Sequence, residues 1–138
     1  FNSIYKLKRG INISYENDGK NKYLIYGIEN RIEQIIANLL DNAISFSDDN
    51  KDVIVQVSKS EDNKVYIKIL DEGQGFKEKD TNKIFKRFYS NRPDKFGQHS
   101  GLGLNIVKNL VDLHNATIKA TNREDKKGAS MEIEFPKV

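Results

Sequence analysis

Three short motifs, separated by roughly thirty and twenty-five residues, constrain this chain more than any other feature of its sequence. Asn38–Ala43 carries two amides one helical turn apart, Asp71–Gly75 places a carboxylate ahead of two glycines, and Gly101–Leu104 places a glycine pair before an apolar run. An amide oxygen suits Mg²⁺, and glycine N–H groups at a helix start suit phosphate. In this order, the motifs predict a nucleotide site.

Composition narrows the class of protein. The 138 residues are enough for one domain (1–138) with a real core, and the chain contains no cysteine, which excludes disulfides and thiolate metal sites. The net charge is only +3 and the basic residues are scattered, so we expect no nucleic-acid partner. No apolar run approaches the length of a membrane helix, so we expect a soluble, cytoplasmic domain. Because the chain begins with Phe1, we expect a piece of a longer protein that can carry its own membrane anchor.

Hydrophobic periodicity predicts an α+β fold. Helices are expected at Asn30–Phe46 and Leu102–His114, where apolar residues recur at three- and four-residue steps. The expected strands are Ile11–Tyr15, Tyr23–Tyr26, Val53–Ser58, Val65–Leu70, Ala116–Thr121 and Ser130–Phe135. Phe76–Ser100 is expected to be a long irregular connection. We therefore predict a two-layer sandwich, with helices on one face of a mixed, mainly antiparallel sheet.

The first predicted helix carries a polar stripe beside its apolar face. At about 100° per residue the stripe contains Arg31, Gln34, Asn38, Asn42 and Ser45, at the boundary between core and cleft. Asn42 is the candidate for the Mg²⁺ oxygen. Polar residues that are simply tolerated at a helix flank would give the same pattern.

Asp71 follows a predicted strand and is therefore the candidate base-reading residue. A carboxylate there can accept a hydrogen bond from the exocyclic amine of adenine, whereas guanine presents a carbonyl. Gly73 and Gly75 would let the backbone approach the base. A strand-ending turn explains Asp71–Gly75 equally well, and a turn also explains Gly101 and Gly103.

Aromatic and basic residues mark the long connection as a candidate lid. Phe85 and Phe88 supply an apolar anchor, for which core packing is the plain alternative. Positive charge comes from Lys86, Arg87, Arg92 and Lys95. A triphosphate would attract such charges, although solvated surface explains at least half of them.

From Arg31 to Pro136 the chain resembles the catalytic and ATP-binding domain of bacterial sensor histidine kinases, a superfamily shared with gyrase B, Hsp90 and MutL. The resemblance rests on an asparagine box (Arg31–Phe46), two glycine boxes (Asp71–Gly75 and Gly101–Leu104) and a phenylalanine box (Ile84–Tyr89) in order. Gly128–Ser130 resembles the family's late glycine-serine step. The resemblance implies a Bergerat-type fold, with ATP between helices and sheet under a mobile lid.

The same resemblance assigns roles to individual residues. It implies that Asn42 binds Mg²⁺, that Asn38 lies on the phosphate side, that Asp71 reads the adenine amine, and that the second glycine box contacts phosphates. The expected nucleotide-binding residues are Asn38, Asn42, Ser45, Phe46, Asp71, Gly73, Gly75, Phe76, Arg92, Ser100, Gly101, Leu102, Gly103 and Leu104.

Two positions depart from the family pattern. Ser45 stands where many members have a phosphate-contacting lysine, so that contact is either absent or supplied by another cation, for which Arg92 and Lys95 are the candidates. His99-Ser100 precedes the second glycine box where a glycine is frequent, which predicts a lid that is stiffer or follows a different path.

The resemblance also predicts the type of reaction. ATP-hydrolysing relatives carry a glutamate base where this chain has Asn38, and an amide accepts no proton at neutral pH. Transfer of phosphate to a histidine on a separate dimerisation domain remains, with a response regulator downstream. Neither His99 nor His114 fits as phosphoacceptor, so the piece alone is expected to have little activity. The resemblance places dimerisation in the separate domain, so the piece is expected to be a monomer. A serine kinase of the anti-sigma-factor type and a regulatory ATP-binding module are the alternatives.

Overall fold

Five strands form one mixed sheet in the part of the chain that the structure describes. The structure is a computed structural model and describes residues 12–17, 25, 27–76, 84–85 and 103–137. The strands are β1 (Asn12–Asn17), β2 (Asp52–Lys59), β3 (Val65–Leu70), β4 (Thr117–Asn122) and β5 (Ala129–Phe135). Their order across the sheet is β1-β2-β3-β5-β4.

The strand pairing places the end of β3 beside the start of β5. β1 and β2 are parallel, whereas β2–β3, β3–β5 and β5–β4 are antiparallel. In the β3–β5 register Leu70 lies opposite Ser130, and in the β4–β5 register Asn122 lies opposite Ala129. Asp71, the residue that follows Leu70, therefore lies at the end of the middle strand of the sheet, next to the β4–β5 turn.

Two helices, α1 (Glu29–Phe46) and α2 (Gly103–Leu113), contribute to the same core as the sheet. On α1 the fully buried residues include Ile35 and Leu39, and on α2 they are Val107 and Val111, a four-residue step that puts both on one face. Residues 131–135 of β5 alternate between buried and half-buried positions, and Ile133 is fully buried. Burying each such aliphatic side chain stabilises the fold by about 1.5–3 kcal/mol.

The sheet's outer face is polar. Lys68 on β3 lies 3.7 Å from Glu132 on β5, and Tyr66 donates a hydrogen bond of 2.8 Å to Glu134. This alternation of apolar inner and polar outer residues is what an antiparallel sheet with one covered face requires. The two-layer α+β prediction is confirmed.

Element boundaries agree with the sequence predictions to within a few residues. The first helix begins at Glu29 and ends at the predicted Phe46, and the hairpin of β2 and β3 is confirmed. Of the predicted strand Tyr23–Tyr26 only Ile25 is described, and it belongs to no strand. Most of the predicted connection Phe76–Ser100 lies outside the described residues. Within it Ile84 and Phe85 are both buried in the core.

None of the helices in the described part of the chain is long and apolar enough to cross a membrane.

His114 joins the end of α2 to the start of α1. Its Nε2 atom accepts a hydrogen bond from the Ile28 N–H at 3.1 Å, and its Nδ1 atom lies 2.7 Å from the Leu110 carbonyl oxygen. These partners require Nδ1–H to donate and Nε2 to accept, which defines one neutral tautomer. Ile28 is the N-cap of α1 and has no side-chain cap of its own, so the imidazole is the group that fixes this helix end.

Replacing His114 with alanine should therefore lower stability. His114→Ala leaves the Ile28 N–H without its acceptor and opens a buried space, which we expect to cost about 1–3 kcal/mol in a denaturant titration. The control is Asn109→Ala, an exposed position of the same helix, where the change should stay within about 0.5 kcal/mol. Equal effects at the two positions would contradict a structural role for the imidazole.

Candidate functional site

Asp71 extends the sheet and holds its own side chain at the end of β3. The residue is 4% exposed, and its backbone N–H donates to the Ala129 carbonyl at 3.0 Å. Its carboxylate oxygen Oδ1 accepts hydrogen bonds from two backbone N–H groups, those of Gly73 and Ala129, each at 3.0 Å. Two donors from different segments fix the orientation of the carboxyl group.

The end of α1 lies directly against the loop that follows Asp71. A Cβ atom on Gly73 would lie 2.3 Å from the Phe46 carbonyl oxygen, so only glycine permits this approach. Next to it, the Glu72 N–H donates to the hydroxyl of Ser47, a residue that is 1% exposed, at 3.1 Å. The structure thus brings Phe46, at the end of the asparagine box, against the first glycine box.

The polar stripe of α1 leads away from this junction. Four residues of the stripe are half-buried, as their predicted place at the edge of the core requires: Gln34, Asn38, Asn42 and Ser45. Arg31 is exposed. Asn42 lies one turn before Phe46, about 6 Å along the helix axis, and Asn38 lies one turn further. Ser45 donates its hydroxyl to the Asp41 carbonyl of its own helix at 2.8 Å.

A buried arginine supports Asp71 from the β4–β5 turn, and sequence reasoning missed it. The Arg123 side chain is 3% exposed, and Nη1 donates to the Asp71 carbonyl oxygen at 3.1 Å. The rest of the guanidinium pairs with Asp125 at 2.8 and 3.0 Å. This hydrogen-bonded pairing lowers the pKa of Asp125 to about 2. A Cβ on Gly128 would lie 2.1 Å from the same carbonyl oxygen of Asp71, so the turn packs on this backbone.

Asn122 makes a second contact that the sequence did not reveal. Its Oδ1 accepts the Phe76 N–H at 2.6 Å, and its Nδ2 donates to the Phe76 carbonyl at 3.1 Å. The preceding Gly75 has φ of +78°. An asparagine beside a predicted turn carries no signal for such a contact, because turn asparagines are common for local reasons.

Glu72 anchors the outside of the same loop. Its carboxylate accepts the Asp52 N–H at 2.8 Å and lies 3.4 Å from the Lys126 ammonium group. The hydrogen bond from Asp52, followed by that from Lys126, lowers the pKa of Glu72. Glu72, the residue after Asp71, is therefore bonded to two other segments.

The second glycine motif is described only in part. Gly103 opens α2, and a Cβ placed there would meet no described atom within 4 Å, while Leu104 is half-buried. Asn105 donates to the Phe85 carbonyl at 3.2 Å and so joins this helix to the phenylalanine box. The predicted site residues Arg92, Ser100, Gly101 and Leu102 lie outside the described residues.

Two grooves lie on the outer face of the sheet, and the lining of the larger one includes Asn122 and Arg123, which contact the Asp71–Phe76 loop. They have volumes of about 260 and 540 Å³, and Gln56, Lys68 and Glu132 line both. Neither contains a residue that the sequence predicts to bind nucleotide. The junction of α1 with Asp71 remains the candidate site because it unites the sequence motifs.

Comparisons with known proteins point to one family. Residues 27–138 match the family described as histidine kinase-, DNA gyrase B-, and HSP90-like ATPase. The sensor protein ChvG of Agrobacterium fabrum is 36% identical over 128 residues, which cover 88% of this chain and 21% of that protein. The chain spans about a fifth or less of the length of the first curated relatives it matches.

Solved structures agree with the sequence match. The nucleotide-free catalytic domain of histidine kinase ThkA aligns with a TM-score of 0.81 and 26% identity over 98% of this chain and 84% of that one. Full-length ShkA in complex with AMPPNP aligns with a TM-score of 0.79 and 26% identity over 97% of this chain and 27% of that one. With the family match, these similarities show that the chain belongs to the histidine kinase-, DNA gyrase B- and HSP90-like ATPase family, as the ATP-binding catalytic domain of a sensor histidine kinase.

Proposed function

We propose that this domain binds Mg-ATP and donates the γ-phosphate to a histidine on a separate dimerisation domain of the same parent kinase, with a response regulator as the next acceptor. One observation carries the nucleotide site: the buried Asp71 carboxyl, held by two backbone N–H groups where the end of α1 meets the sheet. Membership of the sensor kinase family supports the type of reaction.

The adenine end of the site rests on Asp71. A carboxylate accepts hydrogen bonds and donates none, so it selects a purine whose edge carries an amine over one that carries a carbonyl. The hydrogen bonds from the N–H groups of Gly73 and Ala129 hold the carboxylate in one orientation, which maintains its preference for the amine. Phe46 and Phe76, the second of which is 8% exposed, provide apolar surroundings for the base.

The phosphate end rests on the amide stripe of α1. Asn42 and Asn38 lie one and two turns from Phe46, about 6 and 12 Å along the axis, and so follow the direction from base to phosphates. Mg²⁺ takes few protein ligands and uses phosphate and water for the rest, so one amide oxygen fits it. Gly103, where a Cβ would meet no described atom within 4 Å, suits backbone contact with phosphate at the start of α2.

Phosphoryl transfer fits this site better than hydrolysis. Asn38 occupies the position at which a glutamate would activate water, and its amide cannot serve as a general base. Transfer to an external nucleophile depends mainly on positioning and charge neutralisation, which the proposed site provides.

We propose that the acceptor histidine lies on a domain outside this chain. His114 is 8% exposed and both its ring nitrogens have backbone partners, so it is not available to attack a phosphate. His99 lies outside the described residues.

Asp71→Asn should abolish the preference for adenine. The amide presents N–H donors to an amine that is itself a donor, so we expect ADP to bind at least about tenfold more weakly. Inosine diphosphate, which lacks the amine, should lose less, so the ratio of the two dissociation constants should approach one. Calorimetry on the parent, Asp71→Asn and the control Asp62→Asn at the far end of β3 measures this. An unchanged ADP preference in Asp71→Asn would contradict the assignment.

Asn42→Ala should weaken binding of ATP in a magnesium-dependent way. Loss of the amide oxygen removes a metal ligand, so we expect affinity for Mg-ATP to fall about tenfold while metal-free ATP changes little. The same titrations on Asn109→Ala, an exposed asparagine of α2, control for general effects. Equal losses with and without magnesium would show that Asn42 does not bind the metal.

Phosphotransfer itself can be tested with labelled ATP. The chain alone should incorporate little label, whereas adding the parent's phosphoacceptor domain should give acid-labile phosphate on a histidine of that domain. Acid-stable label on a serine of a partner protein would instead indicate the anti-sigma type of kinase. No transfer to either acceptor would leave a domain that only binds nucleotide.

A further inference from the structure

The Asn122 side chain acts on Phe76 as a neighbouring strand would. Its amide oxygen accepts the Phe76 N–H at 2.6 Å, and its amide nitrogen donates to the Phe76 carbonyl at 3.1 Å. The two residues are 46 positions apart in sequence, so the contact joins separate parts of the chain. Both backbone polar groups of Phe76 are thus satisfied by a single side chain.

The contact lies where the backbone leaves the sheet. β3 ends at Leu70, and the described chain continues through Asp71 to Phe76. Gly75 has φ of +78°, and a Cβ on it would lie 2.6 Å from Oδ1 of Asn122. The amide of Asn122 is therefore packed directly on this turn and determines the path of the backbone behind it.

Asn122 belongs to the group of residues around the β4–β5 turn that hold Asp71 in place. It ends β4 opposite Ala129, whose N–H donates to the Asp71 carboxyl, and it precedes Arg123, which donates to the Asp71 carbonyl. The loop is thus held at both ends, because Ala129 and Arg123 bond to Asp71 and Asn122 bonds to Phe76.

We propose that Asn122 is a positioning residue of the nucleotide site, whose amide holds Gly75 and Phe76 at the distance from Asp71 that the bound base requires. It touches backbone and not ligand, so it acts through the shape of the pocket. This inference rests on the proposed function, because it takes the Asp71–Phe76 loop as the wall of an adenine pocket.

Two substitutions separate the two hydrogen bonds. Asn122→Ala removes both and should weaken Mg-ADP binding about five- to tenfold. Asn122→Asp has the same shape and keeps the acceptor for the Phe76 N–H, but at neutral pH its second oxygen faces the Phe76 carbonyl and repels it. A protonated carboxyl would donate to that carbonyl and restore the pair.

The affinity of Asn122→Asp should therefore recover as pH falls. Dissociation constants for Mg-ADP are measured from about pH 8 to about pH 4.5, towards the usual titration range of an aspartate. Because only about a fifth of an ordinary aspartate is protonated at about pH 4.5, the ratio of variant to parent should start at about fivefold and fall to about threefold or below, while effects of pH on the rest of the site and on the nucleotide affect both proteins and divide out. Asn63→Asp, in the turn at the far end of β3, carries the same charge change and should match the parent throughout.

The outcomes are distinct. Weaker binding by Asn122→Ala with recovery of Asn122→Asp at low pH supports the inference. A lower melting temperature with unchanged affinity, measured well below that temperature, would mean that Asn122 only stabilises the fold. Weaker binding by Asn122→Asp without recovery overturns the hydrogen-bonding role. If Asn122→Ala fails to fold, the affinity of the isosteric Asn122→Asp and its recovery at low pH test the inference alone. If the parent binds no adenine nucleotide, the proposed function fails first, and this inference fails with it.

Discussion

The pairing between Asp71 and Ala129 is the interaction on which the rest of this site depends. The backbone of Asp71 donates to Ala129, and Ala129 in turn donates to the Asp71 carboxyl, both at 3.0 Å. A buried carboxyl group is costly unless hydrogen bonds compensate it, and here backbone donors of the sheet and loop do so. The same bonds that complete the sheet therefore orient the group proposed to read the base.

The sheet layer and the helix layer contribute different parts of the proposed site. The sheet and its β4–β5 turn hold the loop from Asp71 to Phe76, through Arg123 and Asn122. The helix layer supplies the amide stripe, and the close contact between Gly73 and the Phe46 carbonyl brings the two together. Because backbone contacts set this geometry, we expect small changes in the β4–β5 turn to alter the nucleotide site even where the turn does not contact the nucleotide.

Periodicity predicted the elements that depend on local pattern. The apolar steps that include Ile35 and Leu39 predicted α1, and the apolar patterns of Val53–Ser58 and Val65–Leu70 predicted the hairpin of β2 and β3. The site residues with a motif, Asp71 and Gly73, were also visible in sequence. Arg123 and Asn122 were not, because their contacts span 52 and 46 residues and obey no periodicity. The predicted strand at Tyr23–Tyr26 stays a prediction, because Ile25, which belongs to no strand, is its only described residue.

The central claim is that adenine binds at Asp71. A crystal structure of this domain with Mg²⁺ and AMPPNP tests it most directly. We expect the exocyclic amine of the base within about 2.7–3.2 Å of a carboxylate oxygen of Asp71, with the phosphates directed along α1 towards Asn42. A nucleotide bound elsewhere, with the Asp71 carboxyl in contact only with protein, would contradict the account.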